Sequence, residues 1–302
     1  MNKIEFGDCR ETMRKWASEG VKAQTCVTSP PYFGLRDYGH DGQIGLEETP
    51  EDYIKAMVEV FRCVWDVLED DGTLWLNIGD SYAGNNSRAS NNGRAGFGNA
   101  REKVVNRTGE GLKTKDLIGI PWMMAFALRA DGWFLRQDII WHKPNPMPES
   151  VQDRCTKAHE YIFLLTKSQK YYYDHEAIKD PVKDDWGTRD RANGKYHNEG
   201  TGLQPHSGLE KSYEMANKRS VWSVPVKPYT GAHFAVFPSE LIEPCILAGA
   251  PVGGIVLDPF MGSGTTAQVS QDLGRQYIGC ELNPAYEKLQ KKRTAQTSLG
   301  FA

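Results

Sequence analysis

The chain runs to 302 residues, 39% of them hydrophobic and 25% charged, with a formal net charge of -3. Such a chain can bury a large core, and these values exclude a disordered or fibrous class. The near-balanced charge gives no sign of a nucleic-acid partner, which would need Lys and Arg gathered locally.

A short strand is expected over Lys3–Phe6, then Gly7-Asp8-Cys9 and a helix to about Ser18. The apolar run Gln24–Thr28 reads as a strand halted by Ser29-Pro30-Pro31-Tyr32, because proline cannot continue a hydrogen-bonded ladder. Helical spacing of Tyr53, Met57, Val60, Phe61, Val64, Trp65 and Leu68 predicts a helix over Glu51–Leu68, and Asp71-Gly72 leads into a strand, Thr73–Ile78. Between Gly84 and Gly111 apolar residues nearly vanish, so a mobile loop is expected over 84–111. A helix follows near Ile120–Arg129, then strands at Trp133–Lys143 and Glu160–Thr166. Residues Asp180–Lys218 are polar and without period. After Val221–Val226 comes a helix near Pro238–Ala248, then strand Gly254–Leu257, a glycine loop, helix Thr265–Leu273, strand Tyr277–Glu281 and helix Pro284–Thr294. This alternation predicts an α/β fold with a largely parallel sheet, in a single domain over 1–302.

The six cysteines (Cys9, Cys26, Cys63, Cys155, Cys245, Cys280) include no C-x-x-C pair, which argues against a zinc site or a disulfide framework and suits a reducing cytoplasm. The start, MNKIEFGDCR, has no apolar signal core, and the uncharged stretch Cys245–Leu257 is glycine-broken and too short for a bilayer. A cytoplasmic protein with no metal and no membrane partner is expected.

Two turns carry chemistry. Val256-Leu257-Asp258-Pro259-Phe260-Met261-Gly262-Ser263-Gly264-Thr265-Thr266 places glycines between a buried strand and a helix, so that backbone can approach a ligand. No lysine occupies the loop, so it is no phosphate-cradling P-loop. Asp258 would repel a pyrophosphate but suits a ligand bearing an ammonium group, such as the methionyl part of S-adenosylmethionine. Glu281, ending the next strand, suits a ribose diol. The second turn is Thr28-Ser29-Pro30-Pro31-Tyr32. Methylating an exocyclic amine requires its ring-conjugated lone pair, and two acceptors on the NH2 group push the nitrogen toward tetrahedral geometry. Ser29 Oγ and the Pro30 carbonyl, aimed by the double proline, are such acceptors, and Tyr32 offers a face to an extrahelical base.

Together these turns make the sequence similar to the beta-group amino-methyltransferases of DNA. In that family a (Ser/Asp/Asn)-Pro-Pro-(Tyr/Phe) catalytic motif precedes an Asp-Pro-Phe-x-Gly-x-Gly-Thr cofactor motif. Ile139–Lys143 with Lys157-Ala158-His159-Glu160 resembles the family's Trp-x-Lys and His-x-Glu region, and the likeness spans nearly the whole chain. The resemblance implies a seven-stranded, mainly parallel sheet with helices on both faces, in circularly permuted motif order. It implies S-adenosylmethionine as cofactor, with Asp258, Phe260, Gly262, Gly264 and Thr265 along its methionine and adenine side. Glu281 would hold the ribose and Asp8 would sit by the adenine ring. Ser29, Pro30, Pro31 and Tyr32 would form the target-amine site.

The expected substrate is double-stranded DNA, methylated by direct transfer to a flipped-out base, with the oligomeric state open between monomer and homodimer. Serine at position 29 favours cytosine N4; adenine N6, a methyltransferase of RNA or protein amines, and a binding protein that has lost catalysis are the alternatives. Arg88, Arg94, Arg101, Lys103, Arg107, Lys113 and Lys115 make the 84–111 loop and its edge a candidate DNA-facing element. The region 167–220, with Tyr171, Tyr172, Tyr173 and Trp186, is the candidate target-recognition region, although the tyrosine run also fits a core strand. His142, His159 and His233 are read as structural or substrate-positioning, since the proton on the methylated amine can leave to water. Lys143 is a candidate for the DNA backbone. Cys155 lacks the Pro-Cys setting of a carbon-methylating nucleophile.

Overall fold

The computed structural model describes residues 1–35, 39–40, 42–84, 111–181, 214–226 and 237–295. The first strand, β1 (Asn2–Phe6), leads to α1 (Cys9–Ser18), which starts where the Asp8 carboxylate accepts the Arg10 N–H at 2.7 Å. Cys9, Met13 and Trp16, spaced at i, i+4 and i+7, are its buried stripe. After β2 (Ala23–Thr28), α2 (Pro50–Val67) begins with Thr49 capping the Asp52 N–H and with Pro50 at its first turn. Next come β3 (Leu68–Ile78), α3 (Ile120–Ala130), β4 (Phe134–His142) and β5 (His159–Thr166). A small ribbon pairs β6 (Asp180–Pro181) with β7 (Met215–Ala216), and β8 (Val221–Ser223), α4 (Ser239–Gly249), β9 (Ile255–Asp258), α5 (Thr265–Asp272), β10 (Gln276–Glu281) and α6 (Glu287–Ala295) complete the chain.

The main sheet has the order β1-β10-β9-β2-β3-β5-β4-β8, and only β5 runs against its neighbours. The resemblance implied seven strands. The eighth is β8, whose three residues pair with Ile140–His142 on the outer edge of β4. The strand predicted from Thr73 starts at Leu68, directly after α2, and a register shift against β2 between Ala23 and Thr25 absorbs the Asp-Gly pair.

Side chains alternate across the sheet, as a period of two requires. Leu74, Leu76, Phe163 and Leu165 pack with α1, α2 and α3 on one face, while Trp75, Ile162 and Leu164 pack with α4 on the other. The expected three-layer α/β arrangement is present. From β9 the chain proceeds outward through β10 toward β1, and from β2 it proceeds outward the other way to β3. The strand order therefore reverses between β9 and β2, and a crevice opens beyond their carboxyl ends. Both candidate turns leave from those two ends. Among the described residues no helix is long and apolar enough to cross a membrane, and no group of three His, Cys, Asp or Glu could hold a metal.

Candidate active site

Strands β2 and β9 are direct neighbours, with Thr25 opposite Val256 and Cys26 opposite Leu257. Beyond this ladder the two turns touch: the Thr28 hydroxyl donates to Asp258 Oδ1 at 2.7 Å, joining residues 230 apart in sequence. The same carboxylate accepts the Phe260 N–H at 3.0 Å and the Thr266 hydroxyl at 2.6 Å. Asp258 is only 1% exposed, and burial pushes its carboxyl up to about 6 against the pull of those three donors. Three protein donors meet at this side chain, so it ties the two turns together beside the glycine loop.

Glu281 closes the other side of the glycine loop. Its Oε2 accepts the Gly262 N–H at 2.7 Å and its Oε1 the Asn283 N–H at 2.8 Å. It is 8% exposed, and burial raises its carboxyl above the usual range. Gly7 N–H donates to the Glu281 carbonyl at 2.9 Å, which brings the Asp8 turn beside it. The Asp8 carboxyl itself is held low by the Arg10 guanidinium. Gly264 caps α5 in the left-handed region (φ 89°) without a side-chain cap, so the first N–H groups of that helix are left for a ligand. Ser263, 2% exposed, keeps in the same turn a buried hydroxyl with no partner among the described residues. A methionyl carboxylate suits such a helix start, and the acids Glu281 and Asp8 suit hydroxyl and amine donors; the residues fit S-adenosylmethionine.

A Cβ at Gly264 would lie 3.3 Å from Gln290 Cα, and Gln290 also props the loop by donating to the Gly262 carbonyl at 2.8 Å. Gly264→Ala therefore combines left-handed strain of about 1–2 kcal/mol with a crowded helix contact. The expected result is a lower urea midpoint and weaker cofactor binding by calorimetry; an unchanged midpoint would contradict it.

On the β2 side, Pro30 is buried and Ser29 half-buried. The Tyr53 hydroxyl donates to the Pro31 carbonyl at 2.9 Å. Among the described residues nothing bonds the Pro30 carbonyl, so it stays available beside Ser29 Oγ. Tyr32 leans across the carboxyl end of β3 and donates its hydroxyl to Glu160 Oε2 at 2.8 Å. A pocket of about 210 Å³ opens there, lined by Tyr32, Gly79, Asp80, Lys143, Lys157 and Glu160 among others. Burial lowers the Lys157 ammonium and the His159 imidazole, which also lines it, below their ordinary values. Asp80 is a structural member: its Oδ1 accepts the Ser81, Gly119 and Ile120 N–H groups and so starts α3.

The DNA methylase family pattern matches residues 23–292, close to the whole chain. This chain belongs to the DNA methylase family. It is 49% identical over 291 residues to the Type II methyltransferase M.SmaI of Serratia marcescens, covering 96% of this chain and 90% of that protein. Among solved structures, a putative DNA modification methylase of Thermus thermophilus, complexed with S-adenosyl-L-methionine, superposes with a TM-score of 0.60 at 24% identity, over 100% of this chain and 96% of that one. The PvuII DNA methyltransferase, described as cytosine-N4-specific, gives 0.63 at 16% identity over 99% and 88%.

For this methylase the structure thus brings Ser29, Pro30, Asp258, Phe260, Gly262, Gly264 and Thr265 to one crevice, with Glu281 and Asp8 at its β10–β1 side. Sequence reasoning did not single out Asn77, Gly79 or Asp80. The signal available was a buried strand ending in Ile78-Gly79-Asp80, a small residue and an acid at a strand's carboxyl end. His142 bonds Ser223 Oγ at 2.9 Å on the sheet edge. Tyr171, Tyr172 and Tyr173 form no strand. Tyr172 N–H donates to the Asp71 carbonyl near the start of β3, and Tyr173 stacks on Trp75 of the same strand. Lys113 is exposed and Lys115 pairs with Asp153 at 2.6 Å. His233, Trp186, Arg88, Arg94, Arg101, Lys103 and Arg107 lie outside the described residues.

Proposed function

We propose that this DNA methyltransferase methylates the N4 amine of cytosine in double-stranded DNA. The contact that carries the reading is the Thr28–Asp258 hydrogen bond, which sets the amine acceptors and the glycine loop face to face. The methyl donor is S-adenosylmethionine, which supplies an electrophilic methyl on a sulfonium. Thr265 and the uncapped start of α5 would hold its carboxylate, Asp258, Phe260 and the glycines would line it, Glu281 would take the ribose hydroxyls, and Asp8 would serve the adenine. Ser29 Oγ and the Pro30 carbonyl accept the two hydrogens of the target amine. This draws the nitrogen lone pair out of ring conjugation and aims it across the crevice. The face of Tyr32 stacks on the extrahelical base. The spent proton leaves to water.

Two observations support cytosine: the neutral hydroxyl at position 29, and the likeness in fold to a methyltransferase described as cytosine-N4-specific. The Tyr82–Leu117 bridge lies just after Asp80 in the chain, and the 84–111 segment, whose interior lies outside the described residues, is assigned as the DNA-facing element from its basic sequence. Target recognition is assigned to the 167–220 region, and the enzyme acts in the cytoplasm as a modification methyltransferase.

The test is product identification. The protein is incubated with duplex DNA and labelled S-adenosylmethionine, and the DNA is digested to nucleosides. N4-methylcytosine is expected. N6-methyladenine would replace the base assignment, and label found only in RNA or protein would overturn the substrate class.

A further inference from the structure

Tyr32 belongs to the catalytic turn, yet what fixes its ring comes from elsewhere in the sheet. Its hydroxyl donates to Glu160 Oε2 at 2.8 Å, and Glu160 sits near the start of β5, 128 residues away. The other oxygen of that carboxylate is held by the Lys143 ammonium, from the residue that follows β4. Asn77, 4% exposed on β3, donates to the Tyr161 carbonyl at 3.1 Å and lies 3.4 Å from Glu160 Oε2. The ring edge is fitted against backbone at Gly79: a Cβ there would stand 2.7 Å from Tyr32 Cε2 and 3.3 Å from Glu160 Cδ. Gly79 has no positive φ, so its missing side chain provides space and not conformational freedom. The Ser29 hydroxyl lies 3.5 Å from the Tyr32 hydroxyl, at the far end of the same array.

We propose that Glu160, with Lys143 as its counter-ion and Gly79 as the seat of the ring, is a positioning residue that sets the angle of Tyr32 and thereby the registry of the stacked base against Ser29. This rests on the reading of Tyr32 as the face that stacks on the target base. The chemistry requires such a hook. A tyrosine directly after two prolines has a rigid backbone but a side chain free to rotate, and a base stacked on a rotating ring would not hold its amine between two fixed acceptors. A partly buried carboxylate neutralised by lysine is a directional acceptor that removes this freedom without adding net charge to the pocket. Burial and the Glu160 carboxylate both push the Tyr32 phenol above its ordinary range, so the hydroxyl stays a donor.

The test is a double-mutant cycle on the full-length protein with Tyr32→Phe, Glu160→Leu, Glu160→Gln and the Tyr32→Phe/Glu160→Leu pair. Calorimetric cofactor affinity and melting midpoint serve as controls, and Tyr32→Phe, which keeps the ring and its volume, covers the case in which Glu160→Leu fails to fold. Each of the first two variants should lower kcat about tenfold, the scale of one hydrogen bond to a charged acceptor. The pair should also lose about tenfold and not a hundredfold, because both substitutions cut one interaction. Glu160→Gln, which keeps an acceptor, should restore part of the rate. Gly79→Ala should lower kcat with little change in cofactor affinity. In ring-labelled tyrosine spectra, the Tyr32 signal, assigned from Tyr32→Phe, should shift in Glu160→Leu. Additive losses in the pair, or a Tyr32 signal indifferent to Glu160→Leu, overturn the inference. A protein that methylates no DNA base, yet whose Tyr32 signal moves, overturns the methylation reading and leaves the hook standing.

Discussion

Ser29→Ala lowers kcat for methyl transfer about 10²- to 10³-fold, the usual cost of removing one donor or acceptor aimed at charge that develops in the transition state. Cofactor affinity should stay within about twofold, since a single hydrogen bond, worth about 1 kcal/mol, is the most that Ser29 could add there and the glycine loop contains none of its atoms. The Ser29 side chain is half-buried, and among the described residues its hydroxyl makes only the long 3.5 Å contact to Tyr32. Its loss therefore leaves no buried group stranded, and the melting midpoint should hold. What disappears is one of two acceptors that distort the target amine; the Pro30 carbonyl remains, so activity falls without vanishing. Steady-state kinetics with duplex DNA and calorimetry with S-adenosylmethionine make the comparison. A variant with the wild-type rate would remove Ser29 from the amine site.

Asp258→Ala moves every readout together. The carboxylate ties Thr28, Phe260 and Thr266 into one node. Alanine strands three buried donors at about 1–3 kcal/mol each, partly offset because an ionised carboxyl is no longer buried at a cost of about 3 kcal/mol, the measure of a shift from 3.8 to about 6. A net loss of about 3 kcal/mol is expected from these terms. With the turns uncoupled, a misplacement of about 1 Å between methyl and amine suffices to cut the rate about 10²-fold, and cofactor affinity weakens as well because the Phe260 turn shifts. Normal affinity and normal rate in this variant would show that the turns are aligned by something else.

The same carboxyl has a signature in pH. Its folded value, about 6, lies above the unfolded value of 3.8, so the folded state holds the proton more tightly. Its contribution is fully favourable below the unfolded value and is lost as pH rises from about 4 through about 6. Asp258→Asn, which cannot ionise, should flatten the dependence of the urea-unfolding free energy in that window relative to wild type. An identical slope in both proteins would place the carboxyl in water.

The amine-site reading depended on a local signal, and the cofactor reading on another. Each turn is short, sits at a strand end and carries residues whose backbone restrictions are visible without coordinates: prolines that stop a ladder, glycines that take positive φ. The elements were legible for the same reason. Met13 and Trp16, or Tyr53, Met57, Val60, Phe61 and Val64, mark a helix because a period of 3.6 residues is written into the order of side chains. The three residues Val221–Ser223 carry no period long enough to read by spacing, and their pairing is supplied by the exposed edge of β4. Tyr171–Tyr173, which suited either a core strand or a recognition surface by composition, forms no strand. Stacking on Trp75 and a backbone bond to Asp71 decided its place.

The amino-acid order by itself determined the element types, the parallel α/β class and the two turns with the chemistry their residues allow. Only the tertiary structure decided that Asp258 clamps the two turns together, that β9 and β2 flank the reversal of strand order, and that Tyr32 is hooked by Glu160 over an empty side chain at Gly79. The physical reason is range: the deciding hydrogen bonds join residues 230 and 128 positions apart. A contact made by folding the sheet leaves no trace in the spacing of its neighbours.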